Sequence, residues 1–407
     1  MFSKLAWAGV FSCVLTQHAA AQSVVRVAQP QPLIDGEYTE PSPSDVVIPE
    51  VAPLAPAEKD LAVPKPHTGS GAPAPGCADG YGTGLLSESG VNLGGWTQVG
   101  YHNKDSFADG FHQRAGRVSL HQQWLYAERV ADGTYGPDWG FRFDAMYGID
   151  AENTQAFGNP GARWDNADAF RRGAYGWAFP QAYAELAVGD LSIIGGHFYT
   201  LIGYEVVPAP DNFFYSHAYT MNNSEPFTHT GAVATYQASE QLTLYGGWTL
   251  GWDTGFDQWG RGSNFLGGFS YALTDDAEFT YMTTVGDFGW IGRDGYMHSI
   301  VLELDLTERL KYVFHSDLLH VDQPTGLGFA NSFGINQYLF YTLNDCWAAG
   351  TRIEWYKPEG ISHNQATFGL NYRPHTNIVV RPEIRHEWIP AFDQDQTVFG
   401  MDLVVTY

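Results

Sequence analysis

An alternation of apolar and polar side chains, recurring from Val91 to Tyr407, constrains the fold of this chain more than any other feature. Two of the apolar runs at every second position are Trp139, Phe141 and Phe143, and Val118, Leu120, Trp124 and Tyr126. Alternation at period two is typical of β-strands, because successive side chains point to opposite faces of a sheet. The sequence therefore predicts an all-β protein.

The alternating segments number about 16, and many are close to the roughly 9–11 residues that a tilted strand needs to cross a membrane. The segment from Leu191 is the least regular, because it begins as a continuous apolar run. The predicted strands are 91–102, 114–130, 138–149, 176–188, 191–202, 228–238, 241–252, 264–273, 277–287, 296–306, 309–321, 331–343, 346–356, 364–373, 376–388 and 396–407.

The connections between these segments alternate between short and long. Short ones lie near 189–190, 274–276 and 307–308, and long polar ones include 150–175 and 203–227. A soluble β-sandwich would show the same alternation, but it has no reason to sort its loops by length. Short turns on one side and long loops on the other are typical of outer-membrane barrels. We therefore expect a transmembrane, antiparallel, up-and-down β-barrel over 91–407.

Aromatic residues support a membrane barrel over a sandwich core. Trp and Tyr prefer the headgroup level of a bilayer, where an apolar ring and a polar atom are both accommodated. A sandwich core would place such residues in the middle of strands instead. The aromatic residues expected near strand ends on the outward face are Tyr101, Trp139, Tyr271, Tyr296, Trp355, Trp388 and Tyr407.

The first 21 residues are predicted to be a secretory signal peptide. Lys4 supplies the positive charge, 5–15 is a short apolar run, and the small residues up to Ala21 form a cleavage site. A lipoprotein signal ending at Cys13 is the alternative, although Phe11 fits its consensus poorly.

Residues 22–90 are rich in proline and nearly free of aromatic residues, so we expect a disordered tail in the periplasm. A plain spacer is favoured over a segment that contacts the cell wall or a periplasmic partner. Cys77 and Cys346 would remain after cleavage of the signal, and two cysteines in so long a chain favour unpaired thiols over a disulfide.

Charge and motifs exclude several classes of function. The net charge of −24 would repel the phosphates of nucleic acid. The sequence contains no G-x-S-x-G, H-E-x-x-H, P-loop or C-x-x-C motif. We therefore expect that the protein is not an enzyme and that it binds neither a cofactor nor a metal ion.

Several stretches resemble one family of membrane proteins. Residues 196–205, 208–216, 181–186 and 227–231 are similar to the OmpL-like β-barrel porin family, which is common in planctomycetes. The C-terminal pattern that ends in Tyr407 resembles the assembly signal of outer-membrane proteins. The resemblance implies an outer-membrane porin, a channel for passive diffusion of small hydrophilic solutes. A non-conducting structural or adhesin-like barrel is the alternative.

Charged residues at polar positions of the predicted strands are candidates to line the lumen. Acids outnumber bases among them, which favours a cation-leaning pore, but a lattice of ion pairs that only neutralises buried charge explains the same residues. The candidates are Arg117, Arg142, Lys311, Arg352, Arg381 and Arg385, with Asp144, Glu185, Glu278, Glu303, Asp305, Asp317, Glu354, Glu383 and Glu387.

The long connection 203–227 is a candidate constriction, by analogy with the inward-folded third loop of trimeric porins. It carries Glu205, Asp211 and Glu225 and no Lys or Arg. The alternative is a loop that caps the barrel or meets a neighbouring subunit. The expected partners are outer-membrane lipid, small solutes or ions, and, if the barrel oligomerises, further copies of the chain.

Overall fold

The structure, a computed structural model, describes residues 90–107, 110–159, 161, 163–167 and 170–407. The predicted signal peptide, almost all of the proline-rich tail, and Cys77 lie outside these described residues.

One antiparallel sheet of 17 strands forms the body of the protein, and it is closed by pairing of β17 with β1. Trp96 on β1 lies opposite Thr406 on β17, and His102 lies opposite Gly400. Sixteen strands build this barrel, since β4 is a two-residue strand within a loop and β3 pairs directly with β5. The predicted up-and-down barrel of 16 strands is thus confirmed.

The strands are β1 Asn92–His102, β2 Val118–Arg129, β3 Asp138–Gly148, β4 Arg171–Arg172, β5 Tyr175–Val188, β6 Leu191–Tyr199, β7 Thr228–Gln237, β8 Leu242–Trp252, β9 Ser263–Thr274, β10 Ala277–Asp287, β11 Gly292–Thr307, β12 Leu310–Pro324, β13 Asn331–Asn344, β14 Trp347–Pro358, β15 His363–His375, β16 Ile378–Ile389 and β17 Gln394–Thr406. Short helices lie at Ala151–Thr154 and Tyr219–Ser224, and 3₁₀ turns lie at Gly133–Tyr135, Ala209–Asp211 and Pro390–Phe392. Within the described residues, no helix has the length and apolar character that crossing a membrane requires.

The connections sort by length as the sequence predicts. Two-residue turns join β5 to β6, β9 to β10, β11 to β12, β13 to β14 and β15 to β16. The two other connections at this end, β7 to β8 and β2 to β3, have 4 and 8 residues. The connections at the opposite end of the barrel range from 4 to 28 residues, and the longest joins β6 to β7. This asymmetry is the one expected of outer-membrane barrels.

The outer face of the barrel is apolar and aromatic. Leu244 on β8 is 41% exposed and its neighbour Tyr236 on β7 is 47% exposed, while the alternate residue Tyr245 is only 8% exposed. Near the strand ends, Trp139 and Tyr296 are also exposed. A large exposed apolar surface is unfavourable in water, so this is the surface expected of a membrane barrel.

A bulge in β2 makes the structure depart from simple alternation. Gln98 pairs with Gln122, but the next residue, Val99, pairs with Leu120, so His121 is the extra residue. A one-residue bulge reverses which face each following side chain occupies. Trp124 is consequently fully buried inside the barrel, on the opposite face from Leu120, and the expectation of one shared face is wrong.

Cys346, in the turn between β13 and β14, is disulfide-bonded. The expectation of an unpaired thiol is therefore wrong for this residue. Its partner lies outside the described residues. A sequence with so few cysteines gives no spatial information about which of them meet.

Candidate functional site in the barrel interior

The 28-residue connection between β6 and β7, residues 200–227, folds into the barrel, and we call it the inner segment. Tyr204, Phe214, Tyr215 and Tyr219 are each less than 5% exposed. Buried connections are unusual, because their backbone polar groups need partners inside the protein. The inner segment is therefore a structural part of the barrel interior rather than a surface loop.

The first half of the inner segment is shaped by proline and by one asparagine. Pro208 precedes the 3₁₀ turn Ala209–Asp211. The Asn212 side chain accepts a hydrogen bond from Val206 N at 3.0 Å and donates to the Pro208 carbonyl at 3.0 Å. Proline restricts φ, and the Asn212 side chain forms hydrogen bonds with backbone groups that have no strand partner. The turn is therefore fixed without β-sheet hydrogen bonds.

Eight adjacent strands, from β12 through β17 and β1 to β2, contact the inner segment. At one end of this arc, Gln122 on β2 donates to the Val207 carbonyl at 2.9 Å. In the middle, the rings of Phe213 and Phe340 on β13 lie 4.7 Å apart. Most hydrogen bonds of the segment's middle part fall on this half of the wall, so that part lines one side of the interior. The first residues, 200–202, instead contact β7 and the strands beside it.

Glycines on the inner face of the wall receive the side chains of the inner segment. A Cβ atom at any of these positions would lie between 2.5 and 3.0 Å from a segment side chain, which is closer than real Cβ contacts come. Gly100 and Gly400 lie against Tyr215, Gly334 against Thr220, Gly350 against Phe213 and Gly369 against Phe214. The wall is thus shaped to hold the segment.

The buried ion pair between Glu205 and Arg352 anchors the segment to β14. Their Oε1 and Nη1 atoms are 2.5 Å apart, and Arg352 also donates to the Ser216 carbonyl at 2.8 Å. Burial opposes the charge of Glu205, but Arg352 and His217 outweigh it and lower the pKa of Glu205 to about 2. A buried pair with these additional hydrogen bonds avoids leaving an uncompensated charge.

Two further charged residues of the wall hold the segment backbone. Arg381 on β16 pairs with Asp402 at 2.5 Å and donates to the Ala209 and Asn212 carbonyls at 2.8 and 2.6 Å. Glu383 accepts a hydrogen bond from Ser216 N at 3.1 Å. These residues satisfy backbone groups that have no strand partner.

Glu354 on β14 caps the short helix Tyr219–Ser224. Its carboxylate accepts hydrogen bonds from Tyr219 N and Thr220 N, both at 2.7 Å, and from the Thr220 hydroxyl. A carboxylate from the wall therefore takes the place of the N-cap side chain that this helix lacks.

A cluster of histidines surrounds Tyr215 of the inner segment. The Tyr215 hydroxyl lies 3.1 Å from His102 Nδ1 and 2.7 Å from His121 Nε2, and His121 Nδ1 lies 2.9 Å from Asp150. The His112 ring packs edge-on against Tyr215 at 4.5 Å. Burial and the Arg385 guanidinium lower the pKa of His112 well below its usual range, so its imidazole is neutral.

Two charged groups lie on the interior wall at the two edges of this arc of contacts. On β3, Arg142 pairs with Asp144 at 2.8 Å and with Glu128 at 2.7 Å. On β11 and β12, Glu303 and Lys311 are 2.6 Å apart. The side chains of Arg142 and Lys311 are 18% and 20% exposed, so water reaches both groups.

The other lumen candidates are dispersed. Arg117 is exposed just before β2, Asp305 is exposed near the tight-turn end of β11, and Asp211 is half-buried in its 3₁₀ turn. Arg385 pairs with Glu387 at 3.0 Å, and Glu225 lies beside His315.

The sequence did not single out His102 or His112, nor the five glycines. No motif marks these residues, since they are brought together only when the inner segment docks. The one available signal was the unusual length and aromatic content of the connection between β6 and β7.

Comparison with known proteins agrees with this architecture. Residues 90–407 match the sequence model of the family described as "Putative beta-barrel porin-2, OmpL-like". Among curated proteins, no sequence matches the chain.

Solved structures share the fold at low sequence identity. The outer membrane channel DcaP of Acinetobacter baumannii has a TM-score of 0.53 at 10% identity, covering 80% of this chain and 99% of that one. A mutant of the Rh. blastica porin has a TM-score of 0.51 at 13% identity, covering 78% of this chain and 100% of that one.

Proposed function

The chain belongs to the OmpL-like family of β-barrel porins, and from that premise we propose that it forms a water-filled outer-membrane channel for small hydrophilic solutes. The observation that carries the proposal is the presence of partly exposed charged groups inside a closed barrel. Arg142, Glu128, Lys311 and Glu303 retain between 13% and 20% of their exposure. Water in contact with interior charges is typical of porins.

In the proposed channel, the inner segment narrows the lumen. It occupies one side of the interior and is fixed by the Glu205–Arg352 pair and by Arg381. Solutes would then be selected by the width that remains beside the segment and by the charge at the mouths.

A preference for cations is a finer proposal, supported by the charge at one rim of the barrel. Residues 91–407 carry 36 acidic and 17 basic side chains. We call the end of the barrel with the two-residue turns the tight-turn rim. Its exposed acids include Asp190, Glu240, Asp275, Asp276, Glu308 and Asp345. Clustered charge of one sign raises the local concentration of the opposite ion.

A non-conducting barrel is the second candidate, and the firm anchoring of the inner segment favours it. Arg352, Arg381 and Arg385 are each no more than 2% exposed, and the first two bind the inner segment. A segment bound this firmly would block the interior if it left no passage beside it.

Single-channel recording distinguishes the two candidates. The purified, folded chain is reconstituted in a planar bilayer, and discrete conductance steps are expected. Thr235 on β7 faces the barrel interior. In a Thr235→Cys variant, a thiol-reactive blocker should therefore reduce the conductance step. The neighbouring variant Tyr236→Cys faces outward and should not respond. Folded protein without steps would support the non-conducting barrel.

A further inference from the structure

Buried carboxylates of the barrel interior generally have a cationic partner or several N–H donors. Glu205 pairs with Arg352, Asp402 with Arg381, and Glu387 with Arg385. Such partners are needed because an isolated charge is strongly disfavoured away from water.

Glu225 of the inner segment and Asp317 of β12 are the exception. Their side chains are 2% and 1% exposed, and their one ion-pair partner among the described residues is His315. The Glu225 Oε1 and Asp317 Oδ2 atoms are buried and have no hydrogen-bond partner. Two buried carboxylates therefore share a single imidazole.

The three side chains converge on one point. His315 Nε2 lies 2.9 Å from Asp317 Oδ1 and 3.6 Å from Glu225 Oε1. One ligand atom from each residue lies within 4.8 Å of the other two. Two ligand atoms bound to one zinc ion at its usual bond lengths are about 3.0–3.4 Å apart. The two measured separations, 2.9 and 3.6 Å, lie on either side of that range, so small side-chain shifts would bring the atoms around one small cation.

The position of Glu225 depends on the backbone at Gly203. A Cβ atom at Gly203 would clash with the Glu225 carboxylate, and Gly203 adopts a φ of +91°, which disfavours other residues. Close by, the Ser224 hydroxyl bonds to Ser332 at 2.6 Å and to Tyr356 at 2.9 Å. The backbone at Gly203 thus leaves room for the carboxylate, and the bonds of Ser224 fix the residue beside it.

From this geometry we propose that Glu225, His315 and Asp317 form a buried metal site that binds a divalent transition-metal ion of the Zn²⁺ type. The ion neutralises both carboxylates at once. It also links the C-terminal end of the inner segment to β12.

The ligand set favours zinc over calcium or magnesium. An imidazole nitrogen suits Zn²⁺ and related metals, whereas Ca²⁺ and Mg²⁺ prefer sites made entirely of oxygen. The Ser299 hydroxyl lies 3.4 Å from His315 Nε2 and is available as a further oxygen near the site. Three protein ligands and one additional oxygen satisfy the four-coordinate geometry of zinc.

The test is Zn²⁺ binding to the full chain, folded in detergent and stripped of metal with EDTA. Calorimetric titration should give one Zn²⁺ per chain, with Ca²⁺ binding at least about tenfold more weakly. Co²⁺ in the same protein should give visible absorption bands of a low-symmetry site. The variants Asp317→Asn and His315→Gln should weaken Zn²⁺ binding at least about tenfold.

Controls separate the metal site from folding and from other acids. Asp276→Asn, in an exposed turn, should bind Zn²⁺ like the original chain, and circular dichroism should confirm equal strand content in every variant. If the folded, stripped chain binds no Zn²⁺, or if Asp317→Asn binds it equally well, the proposal is wrong.

Discussion

Gly350 on the inner face of β14 lies directly under the ring of Phe213, so a Cβ atom added there would come within 2.5 Å of Phe213 Cε1. The contact shows that the wall and the inner segment are fitted to each other. The absence of a side chain at Gly350 is what allows the aromatic ring to reach the wall.

Replacing this glycine should destabilise the docked segment. Gly350→Ala should reduce the free energy of unfolding by about 1–3 kcal/mol, since an added methyl group in a packed interior forces neighbours to shift. Unfolding in urea measures the change. Gly246→Ala on β8 is the matched control, because its Cβ would have no heavy atom within 4 Å. Equal destabilisation by both variants would contradict the proposed fit.

The ion pair of Glu205 should make stability depend on pH. Its pKa falls from the ordinary 4.5 to about 2, because Arg352 and His217 outweigh the effect of burial. The lowered pKa stabilises the folded state above pH 4.5 by roughly 3 kcal/mol, and this contribution is lost as the pH falls toward 2.

Comparison with Glu205→Gln isolates this effect from other titrating groups. Glu205 faces Arg352, His217 and the Tyr338 hydroxyl. The difference in unfolding free energy between the original chain and Glu205→Gln should be larger at pH 6 than at pH 2.5. Glu240→Gln, in an exposed turn, should show no such trend. A difference independent of pH would show that the charge of Glu205 does not stabilise the segment.

The outward face should reject charge. Leu244→Arg places a guanidinium on the exposed apolar surface. In a lipid bilayer it should reduce the free energy of unfolding by up to about 2–4 kcal/mol, the cost of such a charge at the midplane. The control is Thr235→Arg on the adjacent strand, where the side chain faces the interior. Similar losses at both positions, measured by refolding into vesicles, would indicate a protein core on both faces.

The two ends of the barrel should differ in access from outside the cell. Asp257 lies in the long connection between β8 and β9, and Asp275 lies in the two-residue turn between β9 and β10. An impermeant thiol reagent added to intact cells should modify Asp257→Cys and leave Asp275→Cys unmodified. Both variants should react after the cells are broken, which controls for exposure. If only Asp275→Cys were labelled in intact cells, the two-residue turns would face outward and the proposed orientation would be wrong.

The strand count and the outward residues were predictable because both depend on local periodicity. Leu244 and Trp139 lie outward as the period-two pattern predicts. The pattern failed at β2, where the bulge at His121 moves Trp124 inside. A bulge depends on the pairing of two strands, and the sequence of one strand alone does not reveal it.

The interior site was predictable only in part. The length and the acidic residues of 203–227 marked the segment that contains Glu205 as a candidate, but they did not indicate its pairing with Arg352, which lies 147 positions away. The role of Gly350 was equally hidden, because a strand glycine has several explanations until its neighbour in the inner segment is known.

Ion selectivity should depend on the acids of the tight-turn rim rather than on the inner segment. Glu205 and Glu225 are buried and face other protein groups, so their charges act on a pore less directly than exposed ones. The rim acids, among them Asp190, Glu240 and Asp275, are exposed and outnumber the bases of the turns.

A combined variant with Asp190→Asn, Glu240→Gln and Asp275→Asn should therefore lower the permeability ratio of cations to anions. The effect should be larger at 0.01 M salt, where a charge acts over a Debye length of about 30 Å, than at 1 M, where the Debye length is about 3 Å. Reversal potentials under a salt gradient measure the ratio, and unchanged conductance at 1 M salt controls for an intact channel. An unaltered ratio at both salt concentrations would remove the rim from the selectivity mechanism.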